Sequence, residues 1–93
     1  MNQKKACHIV LTGRVQGVGF RYFARKTALD LNLCGWVRNK TDGSVDLEIE
    51  GDEDIIQLYI DLLRAGNGLS RVDRLFKTEL PGIQEYTSFF VRY

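Results

Sequence analysis

Little in this sequence points to cross-links, metal sites or membrane spans. The 93 residues contain one proline, one histidine and two cysteines, Cys7 and Cys34. Two cysteines without a CxxC pair make neither a disulfide framework nor a metal site. His8 is the only histidine, so no second imidazole is available to bind a metal ion with it. No apolar run approaches the roughly 20 residues that cross a bilayer. We therefore expect two reduced thiols, no bound metal and no membrane contact.

An excess of one charge sign is also missing. Thirteen Lys and Arg oppose twelve Asp and Glu, a net charge of +1, which argues against a strongly basic nucleic-acid-binding module. The charges are nevertheless segregated, because residues 12–40 hold six Lys and Arg against one Asp, whereas residues 46–61 hold seven Asp and Glu and no base. The two segments are either solvated faces or, for the first, a site for a small anion.

The length leaves room for one hydrophobic core. No linker, repeat or low-complexity stretch divides the chain, so we expect residues 1–93 to form a single domain. The N-terminal stretch lacks a small-residue cleavage site, which predicts no signal peptide and a cytoplasmic location. Nothing in the sequence demands a dimer, and we expect a monomer.

The first half of the chain predicts a strand, a helix and a hairpin. An apolar, β-branched run predicts a strand over 6–12. Apolar residues at helical spacing predict a helix that begins at Phe20. Strands are predicted at 35–39 and 44–50, because Asp42-Gly43 between two strand-like runs is typical of a hairpin turn.

The second half predicts a helix between two further strands. The strand over 44–50 alternates apolar with acidic residues, which predicts one buried face and one solvent-exposed face. The acidic residues are Asp46, Glu48 and Glu50. Gly51-Asp52 is predicted to end it, with Asp52 as the N-cap of a helix over 53–64. That helix has a predicted apolar stripe of Ile55, Leu58, Tyr59, Leu62 and Leu63. Strands follow at 71–80 and 87–93.

This order of elements predicts the ferredoxin-like α/β sandwich, βαββαβ plus a short C-terminal strand. Two amphipathic helices cannot bury their stripes on each other and leave the sheet bare, so both are expected on one face of an antiparallel sheet. The same architecture serves RNA-binding modules and small ligand-binding domains. RNA-binding modules carry stacking aromatics on their central strands, whereas residues 44–50 are aliphatic and acidic, which argues against RNA as a partner.

A glycine-rich segment joins the first strand to the first helix. Its glycines let backbone N–H groups converge on an anion, the helix N-terminus adds free N–H groups, and Arg21 adds a planar fork that matches phosphate oxygens. The candidate phosphate-binding residues are Arg14, Val15, Gln16, Gly17, Val18, Gly19, Phe20 and Arg21. We expect the side chains of Arg14 and Arg25 to face solvent. A tight connection followed by a surface arginine explains the segment equally well.

Asn39 is the second candidate, at the end of a predicted strand. An amide side chain offers an acceptor and two donors, so it can orient a water molecule without ionising. An asparagine in this position also commonly serves the turn itself. The aromatic residues Trp36, Phe20 and Phe23 are predicted to belong to the core rather than to a ligand platform.

Together these segments resemble the acylphosphatase family. The resemblance is carried by GRVQGVGFR at 13–21, GWVRN at 35–39, DGSVDLEIEG at 42–51, SRVDRL at 70–75 and a C-terminal FFVRY. It implies a ferredoxin-like fold and hydrolysis of the carboxyl–phosphate bond of acyl phosphates without metal or organic cofactor. It places the catalytic arginine at Arg21, the catalytic asparagine at Asn39 and the phosphate cradle at Gly13–Phe20. The stretch 66–70 lacks the proline often found there.

The implied reaction suits the residues present. An acyl phosphate is a mixed anhydride with a good carboxylate leaving group, so no strong general acid is needed. The protein has to hold the phosphoryl group, stabilise its equatorial oxygens and aim a water molecule in line. Arg21 and the loop amides would perform the first two tasks and Asn39 the third, with inorganic phosphate as product and inhibitor. A phosphate-binding module without activity is the alternative, and it could dispense with Asn39.

Overall fold

The computed structural model describes residues 3–93, which form a five-stranded sheet and two helices. The elements follow the chain as β1 (Lys4–Arg14), α1 (Phe20–Asp30), β2 (Cys34–Asn39), β3 (Val45–Asp52), α2 (Glu53–Ala65), β4 (Arg71–Glu79) and β5 (Phe89–Arg92). The strand order is β4-β1-β3-β2-β5. The predicted βαββαβ order with a short final strand is confirmed.

The sheet is mixed, so the prediction of an antiparallel sheet was wrong for its last strand. The pairs β1–β3, β1–β4 and β2–β3 are antiparallel, whereas β5 lies parallel to β2. The physical reason is the route of the chain between β4 and β5. Residues 80–88 carry the chain from one edge of the sheet to the other, where Gly35 N donates to Ser88 O at 2.9 Å beside the start of β2. From there β5 runs in the same direction as β2.

The core lies between both helices and one face of the sheet, as predicted. Its fully buried side chains come from all these elements: Ile9, Leu11, Phe20, Ala24, Ala28, Val37, Val45, Leu47, Ile49, Ile56, Tyr59, Leu63 and Phe89. Tyr59 joins the two helices, because its hydroxyl donates to the carbonyl oxygen of Ala24 at 2.9 Å. Burial raises the pKa of Tyr59, so this hydroxyl stays protonated and keeps its donor role.

The buried stripe of α2 is rotated from the predicted one. Tyr59 and Leu63 are buried as expected, but Leu58 and Leu62 are 44% and 38% exposed. Their predicted places are taken by Ile56 and Ile60, which are buried. Two overlapping apolar stripes in this helix satisfy the 3.6-residue period, and only the position of the sheet selects between them.

Asp46 of β3 was predicted to face water and is instead 2% exposed. On the sheet face opposite the helices, its Oδ1 accepts from Arg38 Nε at 2.8 Å and its Oδ2 lies 3.0 Å from His8 Nε2. Burial by itself raises the pKa of Asp46, but the hydrogen bonds from Arg38 and His8 outweigh burial and hold that pKa below its ordinary value. The side chain is therefore a buried anion with partners.

Glu50 was also predicted to be solvent-exposed, but its exposed fraction is only 5%. Its carboxylate accepts hydrogen bonds from the backbone N–H groups of Gln84 and Tyr86 and so anchors the loop between β4 and β5. Tyr86 Oη in turn accepts from Trp36 Nε1 at 3.2 Å. Trp36 is buried as predicted, but on the far side of the sheet from the helices, and the guanidinium carbons of Arg38 and Arg92 lie 5.1 and 4.6 Å from its ring centroid.

The end of β3 also departs from prediction, since the strand continues through Gly51 to Asp52. Both residues pair with the start of β1, Gly51 with Lys5 and Asp52 with Lys4. A Cβ on Gly51 would collide with the side chain of Leu33, so glycine here permits close packing rather than a break. Asp52 is the N-cap residue of α2 as predicted, although its side chain makes no capping hydrogen bond within the described chain.

Three further properties of residues 3–93 concern membrane spans, metal ligands and thiols. Neither helix there has the length and hydropathy of a membrane span. No three His, Cys, Asp or Glu residues of that range cluster around a common point. Cys7 and Cys34 are free thiols, and burial raises the pKa of Cys7.

Candidate active site

An open cleft of about 470 Å³ lies where β1 passes into α1, beside the end of β2. It brings the glycine-rich loop, the first turns of α1, the end of β2 and the final strand to one place. Its lining residues are Gly17, Gly19, Phe20, Arg21, Tyr22, Arg25, Asn39, Val91 and Tyr93. Arg21 and Asn39, the two predicted catalytic residues, therefore share one cavity.

The floor of the cleft is formed by backbone with unusual dihedrals. Gly17 and Gly19 each have φ of 74°, and Gly19 is the N-cap residue of α1. Glycine adopts this left-handed conformation without the strain that a Cβ atom introduces. Within residues 3–93 no side chain caps α1, and no acidic residue occupies its first turn. The N–H groups at this end of the helix are therefore available to an anion, with the positive end of the helix dipole behind them.

Arg21 is half-buried in the first turn of α1. Its guanidinium carbon lies 5.0 Å from the ring centroid of Tyr93, within cation–π range. No carboxylate of the described chain lies within ion-pair distance of Arg21. The guanidinium group thus lines the cleft with its charge uncompensated.

Asn39 ends β2, opposite Val45 of β3. Its Oδ1 atom is buried and accepts no hydrogen bond from any residue in the range 3–93. The turn that follows is held by Asp42 instead, whose Oδ1 accepts from Ser44 N at 3.0 Å and Ser44 Oγ at 2.6 Å. These hydrogen bonds lower the pKa of Asp42. The turn role considered for Asn39 therefore belongs to Asp42, and the Asn39 carbonyl oxygen has no hydrogen-bond donor within residues 3–93.

Gln16 ties the glycine-rich loop to the β2–β3 hairpin. Its Nε2 donates to the carbonyl oxygens of Lys40 and Ser44, both at 2.8 Å. These two carbonyls belong to the turn that directly follows Asn39. The side chain of Gln16 therefore sets the distance between the loop and Asn39.

Asn67, in the loop after α2, supports the other side of the same segment. Its Nδ2 donates to Val18 O at 2.9 Å. Its Oδ1 accepts from the backbone N–H groups of Leu69 at 3.0 Å and Ser70 at 2.9 Å, which fixes the orientation of the amide. The sequence predicts that Gly66-Asn67-Gly68 ends α2, and it gives no sign of this contact with Val18.

The structure divides the predicted phosphate-binding segment into cleft residues and supporting residues. Gly17, Gly19, Phe20 and Arg21 line the cleft. The remaining four lie outside its lining: Arg14 is exposed, Val15 is core, Val18 packs partly against the core and Gln16 binds the hairpin.

Four cleft residues were not found from the sequence. Arg25 follows Arg21 by four residues in α1, so helical spacing could have indicated it, whereas Tyr22 is the next residue and that spacing does not indicate it. Val91 and Tyr93 reach the cleft only because β5 lies beside β2, and no local pattern predicts that pairing.

Comparison with known proteins identifies the family. The acylphosphatase family model matches residues 7–91. The chain is 46% identical over 71 residues, 76% of either chain, to an acylphosphatase of Geobacillus kaustophilus (strain HTA426). The crystal structure of acylphosphatase from Bacillus subtilis matches with a TM-score of 0.93 at 36% identity, covering 96% of this chain and 99% of that one. An acylphosphatase structure from Coxiella burnetii matches with a TM-score of 0.91 at 35% identity, covering 98% and 94%. The chain therefore belongs to the acylphosphatase family and is a hydrolase that acts on acyl phosphates.

Proposed function

We propose that this cleft is the active site, that Arg21 and Asn39 are its catalytic residues, and that the segment from Arg14 to Arg21 forms the phosphate cradle. One observation carries the proposal. An uncompensated guanidinium and a glycine-rich helix N-terminus share the cleft with an asparagine whose carbonyl oxygen has no donor. The reaction needs a cationic phosphoryl site and a neutral group that orients water, and these residues supply both.

The phosphoryl group is held from two sides in this proposal. Backbone N–H groups around Gly17 and Gly19, together with those of the first turn of α1, bind its oxygens. The Arg21 guanidinium donates two parallel hydrogen bonds and stabilises the negative charge spread over the equatorial oxygens. Because the loop is braced by Gln16 and Asn67, these donors are already in place before substrate binds.

Water attacks the phosphorus directly. The Asn39 side-chain amide hydrogen-bonds to the water, which aims the water oxygen at the phosphorus opposite the leaving carboxylate. The new bond forms between water oxygen and phosphorus, the bond between phosphorus and the acyl oxygen breaks, and its electron pair leaves on the carboxylate. The water proton passes to a phosphoryl oxygen or to solvent. A covalent phosphoenzyme is not part of the mechanism.

We propose that no metal or organic cofactor takes part. Cysteine, histidine, serine, threonine and carboxylate side chains do not occur among the residues that line the cleft within the described range 3–93. Hard divalent cations with phosphate substrates are held mainly by carboxylates, whereas this lining offers guanidinium and amide groups. Arg21 and the backbone N–H groups supply the positive charge that a cation would otherwise provide.

The deciding experiment is hydrolysis of benzoyl phosphate in the presence of EDTA. Turnover with EDTA supports the metal-free mechanism, and its loss would contradict that mechanism. In ¹⁸O-labelled water the label is expected in phosphate and not in benzoate, because water attacks phosphorus. Release of benzoate is expected without a stoichiometric burst, and a burst would indicate a covalent intermediate.

Inorganic phosphate is expected to be a competitive inhibitor, since it occupies the same cradle. Titration with phosphate should shift the backbone NMR signals of residues 14–21 most strongly. Shifts centred on the acidic segment 46–61 would mean that the site is misplaced. We further propose a cytoplasmic monomer, for which light scattering at micromolar protein concentration is the test of oligomeric state.

A further inference from the structure

The cleft extends along α1 beyond the proposed phosphoryl position. Besides the glycine-rich loop, Phe20, Arg21 and Asn39, the cleft is lined by Tyr22, Arg25, Val91 and Tyr93. Sequence reasoning placed Arg25 in solvent, and the residue is indeed exposed, but it also borders this cavity. An acyl phosphate held by its phosphoryl group has to direct its acyl group along one of the cleft's open directions, and this end is lined by side chains that can contact it.

Arg25 brings a second free positive charge to the cleft. Arg21 and Arg25 are four residues apart in one helix, so they share a face, and like charges at this spacing disfavour each other. Neither guanidinium has a carboxylate of residues 3–93 within ion-pair distance, whereas the adjacent Lys26 pairs with Asp30 at 3.2 Å. The charge of Arg25 is thus left for a ligand, while that of its neighbour is taken up by the protein.

The two arginines differ in what they can reach. One helical turn separates their backbone positions by about 6 Å along the axis. With the phosphoryl group held by Arg21 at the helix N-terminus, Arg25 is the charged group of the cleft that lies one turn further along α1. A carboxylate on the acyl group of the substrate matches the planar fork of a guanidinium. The rings of Tyr22 and Tyr93 border the same space and provide apolar surface for the carbon skeleton between the two anionic ends.

We propose that the acyl end of the cleft favours acyl groups that carry a second carboxylate, that is, the monophosphorylated forms of dicarboxylic acids. Arg25 is the specificity-determining residue. This inference rests on the proposed function, because it takes the phosphoryl position from that proposal. It concerns the preference between substrates and not the chemistry at phosphorus.

The test compares substrates with and without a second carboxylate on the wild-type enzyme and its variants. The substrates are benzoyl phosphate and 3- or 4-carboxybenzoyl phosphate, which differ by one carboxylate on a rigid ring. The enzymes are the wild type and Arg25→Gln, with Lys26→Gln as the matched control on the same helix. The measured quantity is the ratio of kcat/KM for the carboxylated substrate to that for benzoyl phosphate. Using the ratio removes effects of each variant on folding yield and on the phosphoryl step.

Arg25→Gln is expected to lower this ratio by about 2- to 5-fold, the range of an exposed ion pair. The change should lie in KM, Arg25→Lys should restore most of the ratio, and Lys26→Gln should leave the ratio at the wild-type value. Added salt should move the wild-type ratio toward that of Arg25→Gln, because screening weakens an exposed ion pair.

Two failures can be told apart. If Arg25→Gln and wild type show the same ratio for both positional isomers, the inference about the acyl group is wrong even though benzoyl phosphate is hydrolysed. An equal loss on both substrates would likewise overturn it, because Arg25 would then act only on the phosphate charge. If the wild type fails to hydrolyse benzoyl phosphate with EDTA present, the proposed function itself fails.

Discussion

The side-chain amide of Asn67 holds the carbonyl oxygen of Val18 through a 2.9 Å hydrogen bond that spans 49 positions of sequence. Val18 lies between Gly17 and Gly19, the two residues of the cradle with left-handed backbone. A carbonyl held on the outer side of this loop fixes the peptide planes next to it. The loop after α2 thereby controls the shape of the phosphate cradle without touching the substrate.

Asn67→Asp is expected to weaken phosphate binding. The change keeps the acceptor for Leu69 and Ser70 but replaces the donor to Val18 with an oxygen, so two acceptors face each other. Losing one hydrogen bond of this kind corresponds to an increase of about 3- to 10-fold in KM for benzoyl phosphate and in the inhibition constant of phosphate. The fall in kcat should be smaller. Steady-state kinetics with phosphate as inhibitor measures both.

The control for this prediction is Ser70→Ala. It removes the hydrogen bond that the Asn67 backbone N–H donates to Ser70 Oγ in the same loop, and it leaves the contact with Val18. This variant should lose thermal stability and keep its phosphate inhibition constant. Equal effects of both variants on that constant would mean that the loop acts through stability alone.

Arg21→Lys keeps the positive charge and loses the planar fork. Because a single ammonium cannot bind two phosphoryl oxygens in parallel, we expect kcat/KM for benzoyl phosphate to fall by about 100-fold or more. Arg64→Lys, the same change on the exposed end of α2, should behave as wild type. Near-native activity of Arg21→Lys would show that a point charge is sufficient.

Substitutions at Asn39 and Asp42 should distinguish a catalytic role from a role in the stability of the turn. Asn39→Ala is expected to lower kcat by about 10²–10³-fold, the usual loss for a positioned hydrogen-bonding group, with near-native inhibition by phosphate. Asn39→Asp should be no better, because its charge repels the phosphoryl group. Asp42→Ala should lower Tm and retain most of kcat, since it removes two hydrogen bonds from the turn. An active Asn39→Asp enzyme would remove Asn39 from the mechanism.

Asp46 should make stability depend on acidic pH. Its pKa is lowered in the folded protein, so the stabilisation is fully present above the unfolded-state pKa of about 3.9 and is lost as the pH falls through the lower folded value. Asp46→Asn should lower the free energy of unfolding at pH 7 by about 1–3 kcal/mol. The variant should also lose less stability than wild type between pH 5 and 2. Urea denaturation at several pH values measures both effects, and parallel pH profiles would contradict the prediction.

The order of helices and strands followed from local patterns, and the reason is physical. The periods of 2 and 3.6 and the Asp-Gly turn act within a few residues, so β2, the hairpin turn at Asp42-Gly43 and the start of α1 at Phe20 agree with prediction. The acidic residues of β3 show what such local patterns do not predict. Alternation assigned Asp46 and Glu50 to one side of the strand, but their burial depends on Arg38, His8 and the β4–β5 loop, which arrive from elsewhere in the chain.

The sequence by itself determined which residues could perform the chemistry. Glycines at 17 and 19, a guanidinium at Arg21 and an amide at Asn39 have these properties in any fold, because they depend on side-chain type and backbone freedom. Only the tertiary structure decided that they meet, because a sheet with β5 beside β2 closes the cleft and long-range bonds from Gln16 and Asn67 hold the loop. It also decided that Arg25 and Tyr93 face the same space, since cavities arise from contacts between distant segments that no local pattern contains.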